Sequence, residues 1–171
     1  MAQFQKSIKR SVKKTIFIGT EGDDDKIVID HLKSLYQPEL FSCKVRSMGG
    51  GSPVVTVNKT FQQASLGDYE IVYAIVDSDR EELEEARLLA EKKHIILLCS
   101  EPHCLEGFIL TLLNLGKIKL KNTKDCEEKL EGEFGKNGIC TDILEKRLPK
   151  KHLEKCRHKI KALDNLLNIF E

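Results

Sequence analysis

Residues 69–80 read Tyr-Glu-Ile-Val-Tyr-Ala-Ile-Val-Asp-Ser-Asp-Arg, an apolar run that stops at two carboxylates, Asp77 and Asp79. Ile71 through Val76 are continuously apolar and mostly β-branched, which predicts a strand covered on both faces, as in a parallel sheet. Because the run ends at Asp77, the acids fall at the strand's carboxyl end, where open α/β sheets gather their ligands. Residues i and i+2 of an extended chain point the same way, so both aspartates are expected to face one site. Two carboxylates held together disfavour each other's charge unless a cation lies between them, and a hard divalent ion is the simplest one.

Working outward toward the N-terminus, Thr15 to Ile18 form a short apolar strand expected to break at Gly19, which leaves Glu21 at its end beside Gly22. Asp23, Asp24 and Asp25 precede Ile27, Val28, His31, Leu32 and Leu35 at helical spacing, so they cap that helix and complement its dipole. Phe41 to Val45 read as the next strand, followed by a Met48-Gly49-Gly50-Gly51 turn and a Ser52-Pro53 helix start. The β-branched residues within Val54 to Val57 count against that helix. The glycine turn has neither a GKS/T continuation nor a GxGxxG pattern, so it reads as a strand-to-helix turn near the site.

Beyond the central strand, Arg80 to Lys93 is helical, with Leu83, Ala86, Leu89 and Ala90 on one stripe. Its glutamates are first-turn and solvent-face charges, with Glu81 a secondary metal candidate because it lies close to the aspartates. His94 to Cys99 is another buried strand, and the next helix carries Leu105, Phe108, Ile109, Leu112 and Leu113 inside. Glu106 is either a surface group near that helix's cap or a residue aimed into the crevice, and His103 reads as a local hydrogen-bonder. From Lys117 the chain is helical and charged, with breaks at Gly132 to Gly138 and at Pro149, and a last helix over Pro149 to Phe170.

Alternating strands and helices predict an α/β fold, a central parallel sheet flanked by helices with a C-terminal helical extension. The 171 residues suit one core, organised as a loose basic head (1–13), an α/β core (14–115) and an extension (116–171) packed on it as a single domain. No apolar run approaches a membrane span, and the basic head leads only to Ile16–Ile18, so neither a transmembrane helix nor a signal peptide is expected and the protein reads as cytoplasmic. The six cysteines form no CxxC pair and read as reduced, mostly buried thiols. A zinc site of Cys126, Cys140, His152 and Cys156 can be drawn, but its spacings match no ligand pattern.

The net charge of +1 hides a segregation. Both ends are basic: residues 146–161 carry eight Lys/Arg against Glu154 alone, whereas Glu21 to Asp25 and Asp77 to Glu91 are mostly acidic. An acidic metal site flanked by surfaces for a polyanion fits this pattern, with Lys13, Lys14, Arg80, Lys150 and Lys151 as candidate nucleic-acid contacts. The alternative is that these charges only solvate helix faces.

A strand, Glu21-Gly22, a helix, and Val76-Asp77-Ser78-Asp79-Arg80 after a later strand together resemble the Toprim domain of topoisomerases, primases, OLD-type nucleases and small ribonucleases. Cys99 to Phe108 further resembles the Ser-x-Pro-x-x-Phe-Glu-x-Trp stretch of the RloB-like, abortive-infection branch of that superfamily. The resemblance covers residues 14 to 115. Leu105 and Phe108 depart from it, standing where the branch tends to have Phe and Trp, and Glu21-Gly22 has an unusually acidic continuation. The resemblance implies a Toprim-like, Rossmann-like core with a Mg²⁺ site, Mn²⁺ being an alternative, for phosphodiester chemistry on DNA or RNA. Glu21 would be the general acid/base, Asp77 and Asp79 the metal pair, Asp25 a further acidic position, and Glu106 the glutamate of the branch segment. A metal-dependent nuclease, in phage–host defence, is the reading this favours. A nucleotidyl-transfer enzyme would use the same carboxylates, and a non-catalytic nucleic-acid- or protein-binding regulatory module would keep them as a cation-stabilised structural feature. A protein partner or a homo-oligomer is compatible with each.

Overall fold

Four parallel strands, β1 (Lys14–Thr20), β2 (Phe41–Ser47), β3 (Ile71–Asp77) and β4 (Ile96–Ser100), form one sheet in the order β2-β1-β3-β4. The computed structural model describes residues 14–135 and 138–171. Ile16 lies opposite Cys43 on one side and Ile71 on the other, so the two strands of longest apolar character sit at the centre, as continuous hydrophobic runs do in parallel sheets.

The period of two along each strand divides the side chains between two helical layers. Ile16 and Ile18 of β1 and Ile75 of β3 join the larger core, which continues through α1 (Asp23–Tyr36), α4 (Leu105–Leu113), α5 (Thr123–Phe134), α6 (Thr141–Arg147), α7 (Lys150–Arg157) and α8 (Lys161–Leu167) to Phe170. Residues 116–171 therefore share the core of the sheet. The opposite face is thinner: Ala74 of β3 packs with Val57 of α2 (Pro53–Ala64) and with Ala86 and Ala90 of α3 (Leu83–Lys92). This is an α/β, Rossmann-like architecture with a parallel sheet between helices. Among the described residues no helix is long and apolar enough to cross a membrane.

The crossover through α1 carries the chain from β1 outward to β2, and α2 brings it back on the other face to β3. The carboxyl ends of β1 and β3 thus flank the point where strand order reverses, which opens a crevice there.

Local boundaries differ from the sequence reading in instructive places. β1 does not break at Gly19 but runs to Thr20, because Gly19 is where α2 comes closest: a Cβ there would lie 2.0 Å from the Thr60 hydroxyl oxygen. Helix α2 forms despite its β-branched residues, since Ser52 accepts the Val55 N–H at 3.5 Å, Pro53 occupies the first turn, and Thr56, Val57 and Thr60 are buried. The single helix expected over Pro149 to Phe170 is two, α7 and α8, interrupted so that Ile160 can enter the core, with a 3-10 turn at Asn168–Phe170. The expected break at Gly132 falls later, for α5 continues through it to Phe134.

Candidate functional site

Glu21 is the first residue past β1 and only 6% exposed. Its N–H donates to the Ile75 carbonyl at 3.1 Å, and its own carbonyl accepts from Gly50 at 2.8 Å, so β3 on one side and the loop after β2 on the other fix it. Gly50 reaches that position with φ +76°, left-handed backbone that glycine adopts without strain. The Glu21 carboxylate lies against the end of β3: Oε2 accepts the Asp77 N–H at 3.3 Å. Asp77 in turn is anchored by the first turn of α4, its Oδ1 accepting the Leu105 N–H at 3.1 Å.

Asp25 comes from the first turn of α1. Its Oδ2 accepts the Gly22 N–H at 3.0 Å, as in a capping box, while Oδ1 is buried with no hydrogen-bond partner. The residue is 7% exposed, so capping accounts for one oxygen and leaves the other unexplained. Glu106, in the first turn of α4, lines the same crevice, which measures about 550 Å³ and is bounded by Asp23, Asp24, Gly50 and Gly51.

Among the described residues Arg80 is the one cation lining it. Its guanidinium donates to Glu21 Oε1 at 3.1 Å and lies 3.5 Å from Asp77 Oδ2. It does not balance the site. Burial, then the charges of Asp77, Glu21 and Glu106, push Asp25 up to about 7 despite the Gly22 N–H. Burial, Glu21 and Glu106 push Asp77 up to about 7 against the opposing effects of Arg80 and the Leu105 N–H. Asp24 is also raised, by burial and by Glu106 and Asp23. A crevice that holds several carboxylates and one half-exposed arginine is short of positive charge.

The sequence-based candidates separate into those the fold brings together and those it does not. Glu21, Asp25, Asp77, Arg80 and Glu106 converge. Asp79 does not join them. The strand ends at Asp77, the Ser78 and Asp79 N–H groups both turn to donate to the His103 carbonyl at 3.0 Å, and the Asp79 carboxylate accepts a hydrogen bond from Thr123 of α5. The expectation that i and i+2 share a direction fails because the backbone there is a turn. Glu81 is exposed and outside the crevice lining.

Among the basic candidates, Lys14 starts β1, about 20 Å of strand from the crevice, with its ammonium 4.8 Å from the centre of the Phe41 ring. Lys150 donates to the Leu35 carbonyl at 3.0 Å and stacks over Tyr36, at the end of α1 remote from the site by about 20 Å. Neither reaches the crevice. Lys151 is exposed on α7, and Lys13 lies outside the described residues, as does the rest of the basic head. The zinc alternative finds no support: His152 Nε2 and Cys156 Sγ both hydrogen-bond the Leu112 carbonyl, at 2.9 and 3.4 Å, and all six thiols are free. Asp24 and the loop glycines Gly50 and Gly51 line the crevice without having been singled out as site residues, although their acidic and glycine-rich stretches were visible.

Among the described residues, no group of three or more His, Cys, Asp or Glu side chains is already arranged to hold a metal ion. Arg80 lies against both Glu21 and Asp77. The fold and the crevice define an α/β protein with an acidic site at the switch point of a parallel sheet. No family model, curated protein or solved structure matches the chain.

Proposed function

We propose that the crevice binds a divalent cation, Mg²⁺ or Mn²⁺, through Glu21, Asp25 and Asp77, and that the protein is a metal-dependent nuclease acting on DNA or RNA. The observation that carries this reading is the unpartnered, buried Asp25 Oδ1 beside two further carboxylates, an all-oxygen donor set of the kind hard cations take. The resemblance to Toprim domains and their RloB-like branch points the same way, toward phosphodiester chemistry and a role in defence against phage. A cytoplasmic setting goes with reduced thiols and a nucleic-acid substrate.

A bound divalent cation supplies neutralisation of the charge that develops on the phosphate oxygens, and a more acidic water. The protein's own part is positional. Leu105 N–H fixes one Asp77 oxygen and leaves the other facing Arg80; Gly22 N–H fixes one Asp25 oxygen and leaves the other unpartnered. Glu21, oriented by the Asp77 N–H, is placed to take a proton from an attacking water. Arg80 must leave the Glu21–Asp77 pair for the carboxylates to close in, and its guanidinium is then free to face a substrate phosphate. Asp79, through Thr123, ties the strand-end loop to α5 rather than serving as a ligand.

The experiment is degradation of mixed single- and double-stranded DNA and RNA in Mg²⁺ or Mn²⁺, with Asp77→Asn as control. Cleavage that disappears in the variant supports the enzyme; equal cleavage by both points to a contaminant and sinks it. One observation favours a second reading: Arg80 already pairs with Glu21 and Asp77, as a purely structural ion pair in a binding module would. An inert protein that still captures its partner after Asp77→Asn would establish that module instead.

A further inference from the structure

The basic C-terminal segment has a use that its sequence alone does not reveal. Two of its cations are consumed in ion pairs, Arg147 with Glu133 and Arg157 with Asp164 and Glu171. Lys150 is committed to Leu35 and Tyr36. Lys159 and Lys161 are exposed and, among the described residues, form no ion pair.

Their placement follows from the break between α7 and α8. Ile160 is 7% exposed and extended, with φ −122° and ψ 97°, its side chain in the core. Lys159, in the turn that ends α7, and Lys161, the first residue of α8, are both exposed on either side of it. They line a groove of about 470 Å³ whose other walls include Thr111, His103 and Ser78, with Glu101 as its one carboxylate. Ser78 is the residue between Asp77 and Asp79, and the loop that holds it is pinned by the His103 carbonyl. One wall of the groove, Ser78, is thus the chain neighbour of Asp77, which lines the acidic crevice. An acidic crevice repels a polyanion, so a strand reaching it needs cations beside it, and of the exposed lysines in this segment Lys159 and Lys161 are the two that line the groove.

We propose that Lys159 and Lys161 form the track for a nucleic-acid phosphate backbone, leading a single strand past Ser78 into the crevice. This rests on the reading of the partner as nucleic acid, and it replaces Lys14 and Lys150 as the backbone contacts. Two ammonium groups and the Ser78 hydroxyl contact phosphates and read no sequence, the Thr111 hydroxyl being given to the Gly107 carbonyl.

The test is fluorescence anisotropy with labelled single-stranded DNA and RNA oligonucleotides in EDTA, where no cleavage occurs, over a salt series. Lys159→Gln/Lys161→Gln should weaken binding about tenfold and reduce the slope of log K against log salt by about 1.4, two phosphates at roughly 0.7 each. The control Lys44→Gln/Lys92→Gln, which removes the same charge from exposed positions on β2 and α3, should bind within about twofold of wild type and keep its slope. Wild-type affinity in the Lys159/Lys161 variant, equal losses in both variants, or a wild-type protein that binds neither oligonucleotide overturns the track. Binding through these lysines without cleavage in Mg²⁺ or Mn²⁺ leaves the track standing and removes the nuclease. Cleavage with an unchanged KM in the Lys159/Lys161 variant does the reverse.

Discussion

Asp25→Asn should make the metal-free protein more stable, by an amount that grows from about pH 4 to about pH 7. The Asp25 carboxyl, ordinarily near 3.8, is raised to about 7 in the folded chain. Below pH 4 it is protonated folded and unfolded alike, and costs nothing. Between pH 4 and 7 the unfolded chain loses its proton while the folded chain keeps it, so folding stability falls as pH rises. Above pH 7 both forms are ionised and the penalty is complete. A shift of roughly three pK units corresponds to about 4 kcal/mol. Asp77, also raised to about 7, shares the same repulsion, and the two titrate together. Removing one charge is therefore worth less than the full shift, about 2 kcal/mol, or a rise in Tm of about 4–8 °C for a chain of this size. Asparagine keeps an oxygen for the Gly22 N–H, so the cap is not what is being measured. The assay is urea unfolding in EDTA at pH 4.5, 6 and 8. The variant should exceed wild type least at the lowest pH and progressively more above, and added Mg²⁺ should raise the Tm of wild type alone. A variant that is less stable at pH 8, or whose difference from wild type does not change with pH, would refute the reasoning.

Arg80→Gln removes the cation that holds Glu21 and Asp77 in the metal-free state, so it should lower Tm in EDTA and tighten Mn²⁺ binding several-fold, measured by calorimetry. It should also slow cleavage, because the guanidinium that faces phosphate is gone. Gly19→Ala places a methyl 2.0 Å from the Thr60 hydroxyl oxygen, an overlap that should cost about 1–3 kcal/mol of stability in urea unfolding. Thr60→Ala in the same chain should recover part of that loss, since the Thr60 Cβ itself stands at 2.9 Å.

The sheet was legible because β3 announces itself: an uninterrupted apolar run is what a strand buried on both faces requires, and Asp77 marks its end. Glu21 was legible for a similar reason, standing just past the next such run beside a glycine. What failed were inferences that extended local periodicity beyond an element. Asp79 is paired with Asp77 by a strand rule that reaches two residues past the strand, where hydrogen bonds to His103 turn the chain. Pro149 to Phe170 shows helical spacing throughout, yet burying Ile160 outweighs the helical bonds given up at the break. Gly19 resembled a terminator, and only the approach of α2 from 41 residues further on shows it as a packing position. Lys14 and Lys150 were chosen for charge alone, and chain topology sends them to the opposite end of the sheet.

The central claim is that Glu21, Asp25 and Asp77 share a cation that Asp79 does not touch. Calorimetric titration of Mn²⁺ into wild type, Asp77→Asn and Asp79→Asn tests it most directly. The account predicts one site in wild type, lost in Asp77→Asn and retained within about twofold in Asp79→Asn. No binding to wild type, or equal loss in both variants, would contradict it.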